Sequence, residues 1–474
     1  MKKQQPNILL IVADQHRWDC LGVAGRYPVI TPHLDQLADD GAWFTQAYTP
    51  IPVCGPVRQA MLSGLAPDSY GNLWNLDFLD CPALQPSDNF HLAALARAGY
   101  DTTLIGGWNV SRQHTPRDFG YTRHIDLQAE MQEVASRYSE PAWQNGWFGE
   151  PSPIALADSR THLAASAVCE RMRQAAEQDQ PWLIRVDFKD PHLPCRPSEP
   201  FSSLYRPEDM IPWDSYPDQL KDKPYIQRQQ LINWQLLDRT WQEWRQTVAL
   251  YFGMISQIDD AVGQMLRQLE DLGMQDDTLV IYTSDHGDLC GGHGMIDKHY
   301  VLYDDVIRIP LIVRDPLHNR ALGRINAFVS HLDLGATIAD RCALPGVADG
   351  HGRSWLPLLD GATQPDRQEA VCSANGQQFG FYAQRCIRTK DWLYVWNLTD
   401  IDELYEVATD PGQLVNRIAD PTVREPLKAL RQRLYTVLRT RQDPFVRTDW
   451  VRDQLLCGRK LDGSSGFERL VGSV

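Results

Sequence analysis

The chain has 474 residues, of which 43% are hydrophobic, and a formal net charge of −15 at pH 7. A chain of this length can bury a large core and has room for about two or three structural units. Its acidic balance argues against nucleic acids and anionic membranes as partners, because both are themselves negatively charged.

The first predicted element is a buried strand that ends in polar residues. The apolar run that follows Pro6 ends at Asp14 and Gln15. Such a run indicates a strand buried on both faces, as in a parallel sheet. Since the ligands of open α/β sheets bind outside the carboxyl ends of the strands, Asp14 is expected at a binding site. Thr31, as N-cap, and Pro32 then predict the start of a helix.

A cysteine stands close to a proline and an arginine in the next segment. Cys54, Pro56 and Arg58 occupy alternate positions of the sequence VCGPVRQ. One interpretation is a buried structural cysteine in a proline-bounded turn. The other is a reactive site, which is favoured because other segments of the chain supply further polar groups at the ends of strands.

Two later strands are also followed by residues that can carry chemistry. The apolar segment Thr278–Ser284 leads to Asp285 and His286. A carboxylate oxygen and an imidazole nitrogen are both ligands for a divalent metal ion. The segment Trp182–Asp187 is another predicted strand, and His192 follows it. For His192 the alternative is a histidine that caps a turn, and for Asp14 it is an ordinary strand-terminating turn.

Taken in order along the chain, these segments resemble the sulfatase family of the alkaline phosphatase superfamily. Cys54–Arg58 resembles the Cys-x-Pro-x-Arg sequence in which family members have the cysteine oxidised to formylglycine. Thr31–Ala38 resembles the helix after the first strand, and Glu403–Asn416 resembles the C-terminal signature of the family. The likeness runs from about residue 6 to about residue 440.

The resemblance implies a doubly wound α/β fold with a largely parallel, alkaline-phosphatase-like sheet and a smaller C-terminal antiparallel sheet with a helix. The alternation of apolar strands and helical patterns agrees with this and predicts a catalytic domain over residues 1–360. Residues 361–474 are expected to form a small α+β subdomain and a tail. Other predicted elements are a helix over 245–272, a strand over 308–314, a helix over 331–340, strands over 369–373, 379–389 and 392–398, turns at Asn375-Gly376 and Lys390-Asp391, and a closing helix over 421–441.

The resemblance also implies a set of site residues. The implied catalytic residues are Cys54 as formylglycine, Arg58, His192 and Lys298. The implied ligands of one divalent metal ion, Ca²⁺ or Mn²⁺, are Asp14, Gln15, Cys54, Asp285 and His286. For Lys298 the alternative is a solvated lysine on a loop.

The mechanism that the resemblance implies starts from the hydrate of formylglycine at residue 54. One hydroxyl attacks sulfur, or phosphorus, and the other later expels the product, while the metal ion polarises the ester. Arg58 and Lys298 stabilise charge on the non-bridging oxygens, and His192 donates a proton to the leaving alcohol. We therefore expect a sulfuric ester hydrolase, that is, a sulfatase.

The sequence departs from the common family pattern at several positions. Gln15 and His286 look more like the residues of phosphonate monoester hydrolases and of some bacterial sulfatases. The stretch Gly106–Asn109 lacks a lysine and a histidine that normally bind the oxyanion and the formylglycine, and Asn109 is expected to replace one of them by neutral hydrogen bonding. The candidate substrate-binding residues are Asn75, Trp108, Asn109 and His293.

The expected substrate is a small-molecule or saccharide sulfate ester, such as an aryl sulfate or a sulfated carbohydrate. Hydrolysis of a phosphonate monoester or a phosphodiester stays open, and so does a non-catalytic binding protein in which Cys54 is unmodified. Two stretches, 123–160 and 200–245, match no family element and carry the tryptophans 143, 147, 213, 234, 241 and 244. Indole faces can stack on sugars, but most of these rings are expected to pack helices or a subunit interface.

The sequence also carries expectations about partners and location. A maturation enzyme that generates formylglycine is an implied partner, whereas no nucleic-acid or membrane partner is expected. No signal peptide is visible before the first strand, which is too short to span a bilayer. The ten cysteines contain no Cys-x-x-Cys motif, which predicts free thiols in a reducing cytoplasm. Assembly as a homo-oligomer stays open.

Overall fold

The computed structural model describes residues 5–76, 84–138, 143–317, 321–347, 350–362, 367–376 and 378–458. Cys81 and the predicted C-terminal tail lie outside these ranges. The strands are β1 (Asn7–Ala13), β2 (Ala42–Tyr48), β3 (Asp101–Gly106), β4 (Arg123–Ile125), β5 (Trp182–Asp187), β6 (Thr278–Ser284), β7 (Leu311–Arg314), β8 (Gly323–Ser330), β9 (Glu369–Gly376), β10 (Tyr382–Thr389), β11 (Trp392–Asn397) and β12 (Glu403–Glu406). The α-helices are α1 (Pro32–Asp40), α2 (Cys54–Ser63), α3 (Pro67–Tyr70), α4 (His91–Arg97), α5 (Gln128–Arg137), α6 (Arg160–Ala176), α7 (Tyr225–Asn233), α8 (Trp241–Asp271), α9 (Asp304–Ile307), α10 (Leu334–Arg341), α11 (Leu356–Leu359), α12 (Arg424–Thr440) and α13 (Asp449–Cys457).

The first eight strands form one sheet, in the order β4-β3-β5-β1-β6-β7-β2-β8. β7 runs antiparallel to both of its neighbours, and the other pairings are parallel. Helices cover both faces because alternate residues of β1 enter different cores. Leu10 and Val12 pack with residues of α2, α4 and α10, whereas Leu9 and Ile11 pack with residues of α1, α6 and α8. This confirms the predicted doubly wound, largely parallel sheet.

The register of the central strands brings their carboxyl ends together. β1 pairs in parallel with β5 on one side and with β6 on the other. Val12 is opposite Asp187, and Ala13 is opposite Ser284. The three strands therefore end at the same edge of the sheet, which is where an α/β sheet binds its ligands.

The second sheet is antiparallel, in the order β12-β11-β10-β9. On one face, Ile387 and Trp396 pack against the buried leucines of α12. On the other face, Cys372 and Val395 belong to the same core as Val306 of α9. The predicted small antiparallel sheet with a helix is thus confirmed, while the boundary at residue 360 stays a prediction.

One predicted turn is wrong, and packing explains why. Asn375 and Gly376 are the last residues of β9 and pair with β10, which begins at Tyr382 rather than at residue 379. A Cβ atom at residue 376 would lie 1.9 Å from Cε1 of Tyr300. The glycine therefore serves the close approach of an aromatic ring and not a turn.

Other element bounds differ from the predictions for local reasons. α8 begins at Trp241 rather than at residue 245, because the side chains of Thr240 and Glu243 form a capping box. Strand β12 and helix α13 were not predicted. Of the tryptophans in the unmatched stretches, Trp213 and Trp244 are fully buried, as the packing interpretation predicts, whereas Trp147 is 53% exposed.

Within the described ranges, no helix has both the length and the apolarity that crossing a membrane requires. The nine cysteines in these ranges are all unpaired, and Cys457 is the exposed one.

Candidate active site

Three acidic side chains lie side by side at the carboxyl edge of the large sheet. Asp14 follows β1, Asp187 ends β5, and Asp285 follows β6. The backbone amide of Asp285 donates to the carbonyl oxygen of Ala13 at 3.0 Å, and the amide of Asp14 donates to that of Asp190 at 3.1 Å. These bonds extend the pairing beyond the strand ends, so the loops that carry the carboxylates are held close together.

Cys54 is the first residue of α2, a helix whose ten residues are all buried. The preceding residue, Val53, offers no side-chain cap. Instead, Oδ1 of Asn75 accepts a hydrogen bond from the amide of Gly55 at 2.9 Å. Because the amino end of a helix carries partial positive charge and unpaired amides, this position favours an anion near residue 54.

Four side chains bring ligand atoms together beside this helix. Sγ of Cys54 lies 3.6 Å from Oδ1 of Asp14 and 3.3 Å from Nε2 of His286. With Asp285 included, the ligand atoms all lie within 4.8 Å of one another. Nδ1 of His286 is 2.9 Å from the carbonyl oxygen of Gly287, so Nδ1 donates and Nε2 keeps its lone pair. Two carboxylates and a neutral imidazole fit a divalent cation.

Gln15 contacts the groups around this cluster. Its backbone amide donates to Oδ1 of Asp285 at 3.1 Å. The side-chain nitrogen donates to Asp288, and the side-chain oxygen accepts from Nζ of Lys298. The oxygen that a metal ligand would use is therefore bound to a lysine in this arrangement, and the role of Gln15 as a further ligand stays a prediction.

Arg58 joins the three carboxylates from the next turn of α2. Its guanidinium lies 3.2 Å from Asp14, 3.1 Å from Asp187 and 3.2 Å from Asp285. Burial alone would lower the pKa of Arg58, but these carboxylates raise it above its ordinary value. Arg58 is therefore a permanent cation that offsets the repulsion among the acids.

Lys298 and His192 form a hydrogen-bonded pair. Nζ of Lys298 is 3.1 Å from Nε2 of His192, whose Nδ1 is 2.6 Å from the carbonyl oxygen of Leu193. Nδ1 therefore donates to Leu193, and Nε2 accepts from the lysine. Burial and then the charge of Lys298 lower the pKa of His192 to about 4. Burial also opposes the charge of Lys298, but Asp297, 3.3 Å away, leads the groups that raise its pKa.

We call the following group the catalytic pocket: Asp14, Cys54, Arg58, Asp285, His286 and Lys298. The pocket shifts the pKa of its own thiol, that of Cys54. Burial and then the charge of Asp14 raise the pKa of Cys54 to about 12. A thiol that stays protonated at neutral pH is a weak nucleophile. For Asp14, burial is opposed by the imidazolium that His192 forms in acid and by Arg58, so its pKa lies below the usual range. Asp14 is thus an anion suited to hold a cation.

Of the predicted substrate-contact residues, Asn75 and Asn109 lie near the start of α2, and Trp108 precedes Asn109 in the sequence. Asn75 binds the amide of Gly55. The carbonyl oxygen of Asn109, an exposed residue, would lie 3.3 Å from a Cβ atom at residue 55. Trp108 donates its indole N–H to the carbonyl oxygen of His114 at 2.8 Å and packs against neighbouring aromatic rings. Asn75 and Asn109 therefore flank the nucleophile position, whereas the contacts of Trp108 are structural.

His293, the fourth of these residues, lies in a separate buried network. Its Nδ1 is 2.7 Å from Oδ2 of Asp218, and its ring stacks on that of Tyr303 with 3.7 Å between the centroids. Asp218 also pairs with the buried Lys223. These contacts tie the segment before α7 to the loop after β6, and a role for His293 in substrate binding stays a prediction.

Sequence reasoning missed several groups that complete the site. Asp187 accepts hydrogen bonds from both Arg58 and Arg185. It ends a fully buried strand, which is the same signal that identified the acids after β1 and β6, so it could have been found. Asp288 and Asp297 lie in the segment after Asp285 and His286, at positions that carry no such signal.

Comparison with known proteins agrees with this geometry. The sulfatase family profile matches residues 6–342, and the profile for N-sulphoglucosamine sulphohydrolase, C-terminal, matches residues 291–440. An ulvan-active sulfatase of Formosa agariphila is 26% identical over 463 residues, covering 94% of this chain and 83% of that protein. An N-acetylglucosamine-6-O-sulfatase of Bacteroides thetaiotaomicron is 24% identical over 500 residues, covering 91% of this chain and 86% of that protein.

A solved structure shows the same fold over nearly the whole chain. The phosphonate monoester hydrolase of Agrobacterium radiobacter superposes with a TM-score of 0.80 at 26% identity, covering 92% of this chain and 96% of that one. The chain belongs to the sulfatase family, within the alkaline phosphatase superfamily. It is a sulfuric ester hydrolase, which confirms the family, the fold class and the enzyme class that the sequence predicted.

Proposed function

We propose that the protein uses formylglycine at residue 54 and one divalent metal ion to hydrolyse sulfate esters of saccharides. The observation that carries the proposal is the position of Cys54. Its Sγ lies at the amino end of α2, 3.6 Å from Asp14 and 3.3 Å from His286. A nucleophile at this position would lie next to both the cation ligands and the anion-binding end of a helix.

The residues present fit both groups that the family implies. Asp14, Asp285 and His286 would hold the metal ion together with residue 54, and Gln15 is proposed as a further ligand. When bound, a divalent ion supplies a Lewis acid for the ester oxygens. Formylglycine supplies a geminal diol in place of the thiol, whose raised pKa makes it a poor nucleophile.

The two cations of the catalytic pocket have different roles in this proposal. Arg58 contacts three carboxylates, so its charge is largely neutralised and its main effect is to hold them in place. Lys298 has Asp297 as its carboxylate partner and otherwise donates to the neutral side chains of Gln15 and His192. Lys298 is therefore better placed to stabilise charge on a sulfate oxygen.

His192 is proposed to handle the proton of the leaving alcohol. It is neutral at pH 7, since burial and Lys298 lower its pKa to about 4. Its Nδ1 is bound to Leu193, so a proton can reach a leaving oxygen through Nε2, where Lys298 now donates. An anionic ester beside the ring would raise the pKa of His192 and so favour its protonation.

The saccharide part of the proposal has support of two kinds. One relative is named as an N-acetylglucosamine-6-O-sulfatase. In addition, aromatic and amide side chains, with Trp147 and Trp234 among them, line a large groove on this chain. Aromatic rings and amides together are suited to sugar faces and hydroxyl groups.

A second candidate is hydrolysis of phosphonate monoesters or phosphodiesters. It is favoured by the TM-score of 0.80 with a phosphonate monoester hydrolase. The reacting groups of both esters carry one negative charge, so the same pocket charges would serve them.

The test compares three matched esters on protein produced together with a formylglycine-generating enzyme. We expect kcat/KM to be highest for 4-nitrophenyl sulfate, lower for 4-nitrophenyl phenylphosphonate and lowest for 4-nitrophenyl phosphate, a dianion. Cys54→Ala should lose at least about 10³-fold in turnover. Cys457→Ala, which changes an exposed free cysteine, is the matched control and should keep full activity.

Each other outcome has a defined meaning. Preference for the phosphonate ester would establish the second candidate. Turnover retained by Cys54→Ala would contradict the assignment of the nucleophile. Absence of turnover with all three esters, in protein shown to carry the aldehyde, would contradict the enzymatic proposal.

A further inference from the structure

A groove of about 1020 Å³ lies between the segment 144–151, the loop 202–207 and the first turns of α8. Most of its lining comes from the two stretches that match no element of the family pattern, and residues from the segment 246–250 of α8 complete it. Both aromatic and polar side chains face it, including Trp147, Trp234 and Tyr205. We call it the Trp147 groove.

The charged side chains of the groove wall are two carboxylates and one guanidinium. The carboxylate of Glu150 accepts the backbone amides of Gln144 and Asn145 at 2.8 and 3.1 Å. Arg239 lies over the rings of Phe148 and Trp244, 3.6 and 4.8 Å from their centroids. The third charged residue, Glu243, caps the first turn of α8. Among the described lining residues, two carboxylates thus accompany one guanidinium, so the wall carries a net negative charge that disfavours an anionic ligand.

The uncharged amide side chains that line the groove, by contrast, have no hydrogen-bond partner within the described part of the protein. Gln144, Asn145, Gln235, Gln242 and Gln246 are exposed lining residues. Within the described part of the chain, the amide groups of their side chains make no hydrogen bond. Gln242 and Gln246 are one helical turn apart on α8, so both amides lie along the same side of the groove.

An exposed aromatic ring accompanies these amides. Trp147 is 53% exposed, and its ring meets that of Trp234 edge to face, with 6.1 Å between the centroids. This contact fixes the orientation of the Trp147 ring while one side of it stays open to solvent. A fixed indole face with free amides around it matches the apolar faces and the hydroxyl edges of a sugar.

Two segments connect the groove to the catalytic pocket. The amide of Glu150 donates to the carbonyl oxygen of Cys195 at 3.0 Å, in the loop that also carries His192. On the other side, the ring of Trp234 lies 6.0 Å from that of Phe379. The residue before it, Gln378, donates to Asp297, the carboxylate partner of Lys298. The groove thus borders the loop that carries His192, the predicted proton donor, and contacts a segment that binds Asp297 beside Lys298.

We propose that the Trp147 groove binds uncharged sugar residues of the saccharide whose sulfate ester the catalytic pocket cleaves. The inference rests on the proposed function, and it adds the class of ligand and the place where it binds. The net negative wall disfavours a second sulfate group as the main determinant, and the free amides favour hydroxyl and acetamido groups. The enzyme is therefore expected to act on a saccharide chain with a neutral stretch next to the sulfated unit.

The test uses binding that does not require turnover. Cys54→Ala protein is titrated calorimetrically with neutral hexasaccharides of N-acetylglucosamine, of galactose and of glucose. We expect at least one to bind, and Trp147→Ala in the same background to weaken that binding about tenfold or more. A Gln242→Ala/Gln246→Ala double variant should also weaken it. Trp450→Ala, which removes another exposed tryptophan, should leave it unchanged.

A second readout separates this inference from the proposed function. Wild-type protein with formylglycine at residue 54 should hydrolyse 4-nitrophenyl sulfate, and this activity tests the catalytic pocket without requiring the groove to be occupied. If none of the hexasaccharides binds, or if Trp147→Ala binds as tightly as its parent, the groove proposal is wrong. If the wild type hydrolyses no sulfate ester, the proposed function fails, whatever the titrations show.

Discussion

The catalytic pocket and the Trp147 groove are both polar, but they treat charge in opposite ways. In the pocket, buried charged side chains bind one another, so that Arg58 contacts three carboxylates and Lys298 contacts Asp297. In the groove, Glu150 is bound by backbone amides and Arg239 lies over the rings of Phe148 and Trp244, with no carboxylate paired to it among the described residues. Free amides and an exposed indole are what remain on that surface.

This difference assigns reaction and recognition to separate surfaces. A buried charge is costly unless a partner of opposite charge is present, so a pocket that collects acids, cations and a helix end is suited to hold ions. A surface of neutral donors, acceptors and rings has no such requirement and is suited to hydroxyl groups. The following changes test the division, because each should affect one surface and leave the other intact.

The largest expected effect comes from Arg58→Met. The change leaves Asp14 and Asp285 without their shared cation, and removing one member of a buried ionic cluster costs about 3–5 kcal/mol of unfolding free energy. We expect that loss in urea unfolding, together with loss of turnover. Arg173→Met, which removes an exposed pair with Glu170, is the control and should change stability little. Equal stability of the two variants would show that the pocket does not depend on its internal charge pairing.

Removal of Lys298 should slow the reaction more than removal of Asn109. Lys298→Ala should lower kcat/KM for 4-nitrophenyl sulfate by about 10²- to 10³-fold, since a buried cation near the reacting group is lost. Asn109→Ala should lower it less than about tenfold, because an exposed amide contributes a neutral hydrogen bond at most. A larger loss for Asn109→Ala would mean that the anion is bound on the other side of residue 54.

His192 should matter most for substrates with poor leaving groups. If His192 donates the proton, His192→Gln should lower kcat/KM about 10²-fold for an alkyl sulfate but less than about tenfold for 4-nitrophenyl sulfate. The nitrophenolate leaves without needing a proton. Equal losses for both esters would remove His192 from the role of general acid and leave it as a partner of Lys298.

A further effect concerns the pH dependence of stability. Burial lowers the pKa of His299 from 6.5 to about 4; the charge of Lys298 adds to this shift, whereas the carboxylate of Asp297 opposes it. Between these values the unfolded chain binds a proton that the folded protein does not, so stability falls as the pH drops from 6.5 to 4. His299→Gln should reduce that fall by up to about 3 kcal/mol, since one pKa unit is worth about 1.4 kcal/mol.

Urea unfolding at pH 7 and pH 4.5 measures this effect. His124→Gln, which changes an exposed histidine, is the control and should leave the acid sensitivity of the wild type in place. If His299→Gln is as acid-sensitive as the wild type, the histidine is not the group that resists protonation in the folded protein.

Much of the catalytic pocket could be predicted because its residues are local in sequence. Strands β5 and β6 have the predicted bounds, since continuous apolar runs indicate buried strands. The acids come directly after such strands, and parallel pairing places the strand ends together. The ligand atoms of Asp14, Asp285 and Cys54 lie close together in the structure, and their place in one site was implied by the resemblance to the family.

The rest depends on contacts that no short motif encodes. Asn375-Gly376 looks like a turn, but Tyr300 packs on the glycine and the pair extends β9. His293 lies shortly after Asp285 and His286 in the sequence, yet its partner Asp218 comes from a segment that matches no family element. The Trp147 groove combines residues from two such segments, and its position follows from tertiary contacts such as that between Glu150 and Cys195.

The central claim is that residue 54 is the formylglycine nucleophile of a sulfatase. The most direct test is to prepare samples with increasing amounts of the maturation enzyme, and to measure in each the fraction of residue 54 present as aldehyde by peptide mass spectrometry. Initial rates with 4-nitrophenyl sulfate are then measured on the same samples. The account predicts that the rate is proportional to the aldehyde fraction and extrapolates to zero where residue 54 is entirely cysteine. A rate that is independent of that fraction would contradict it.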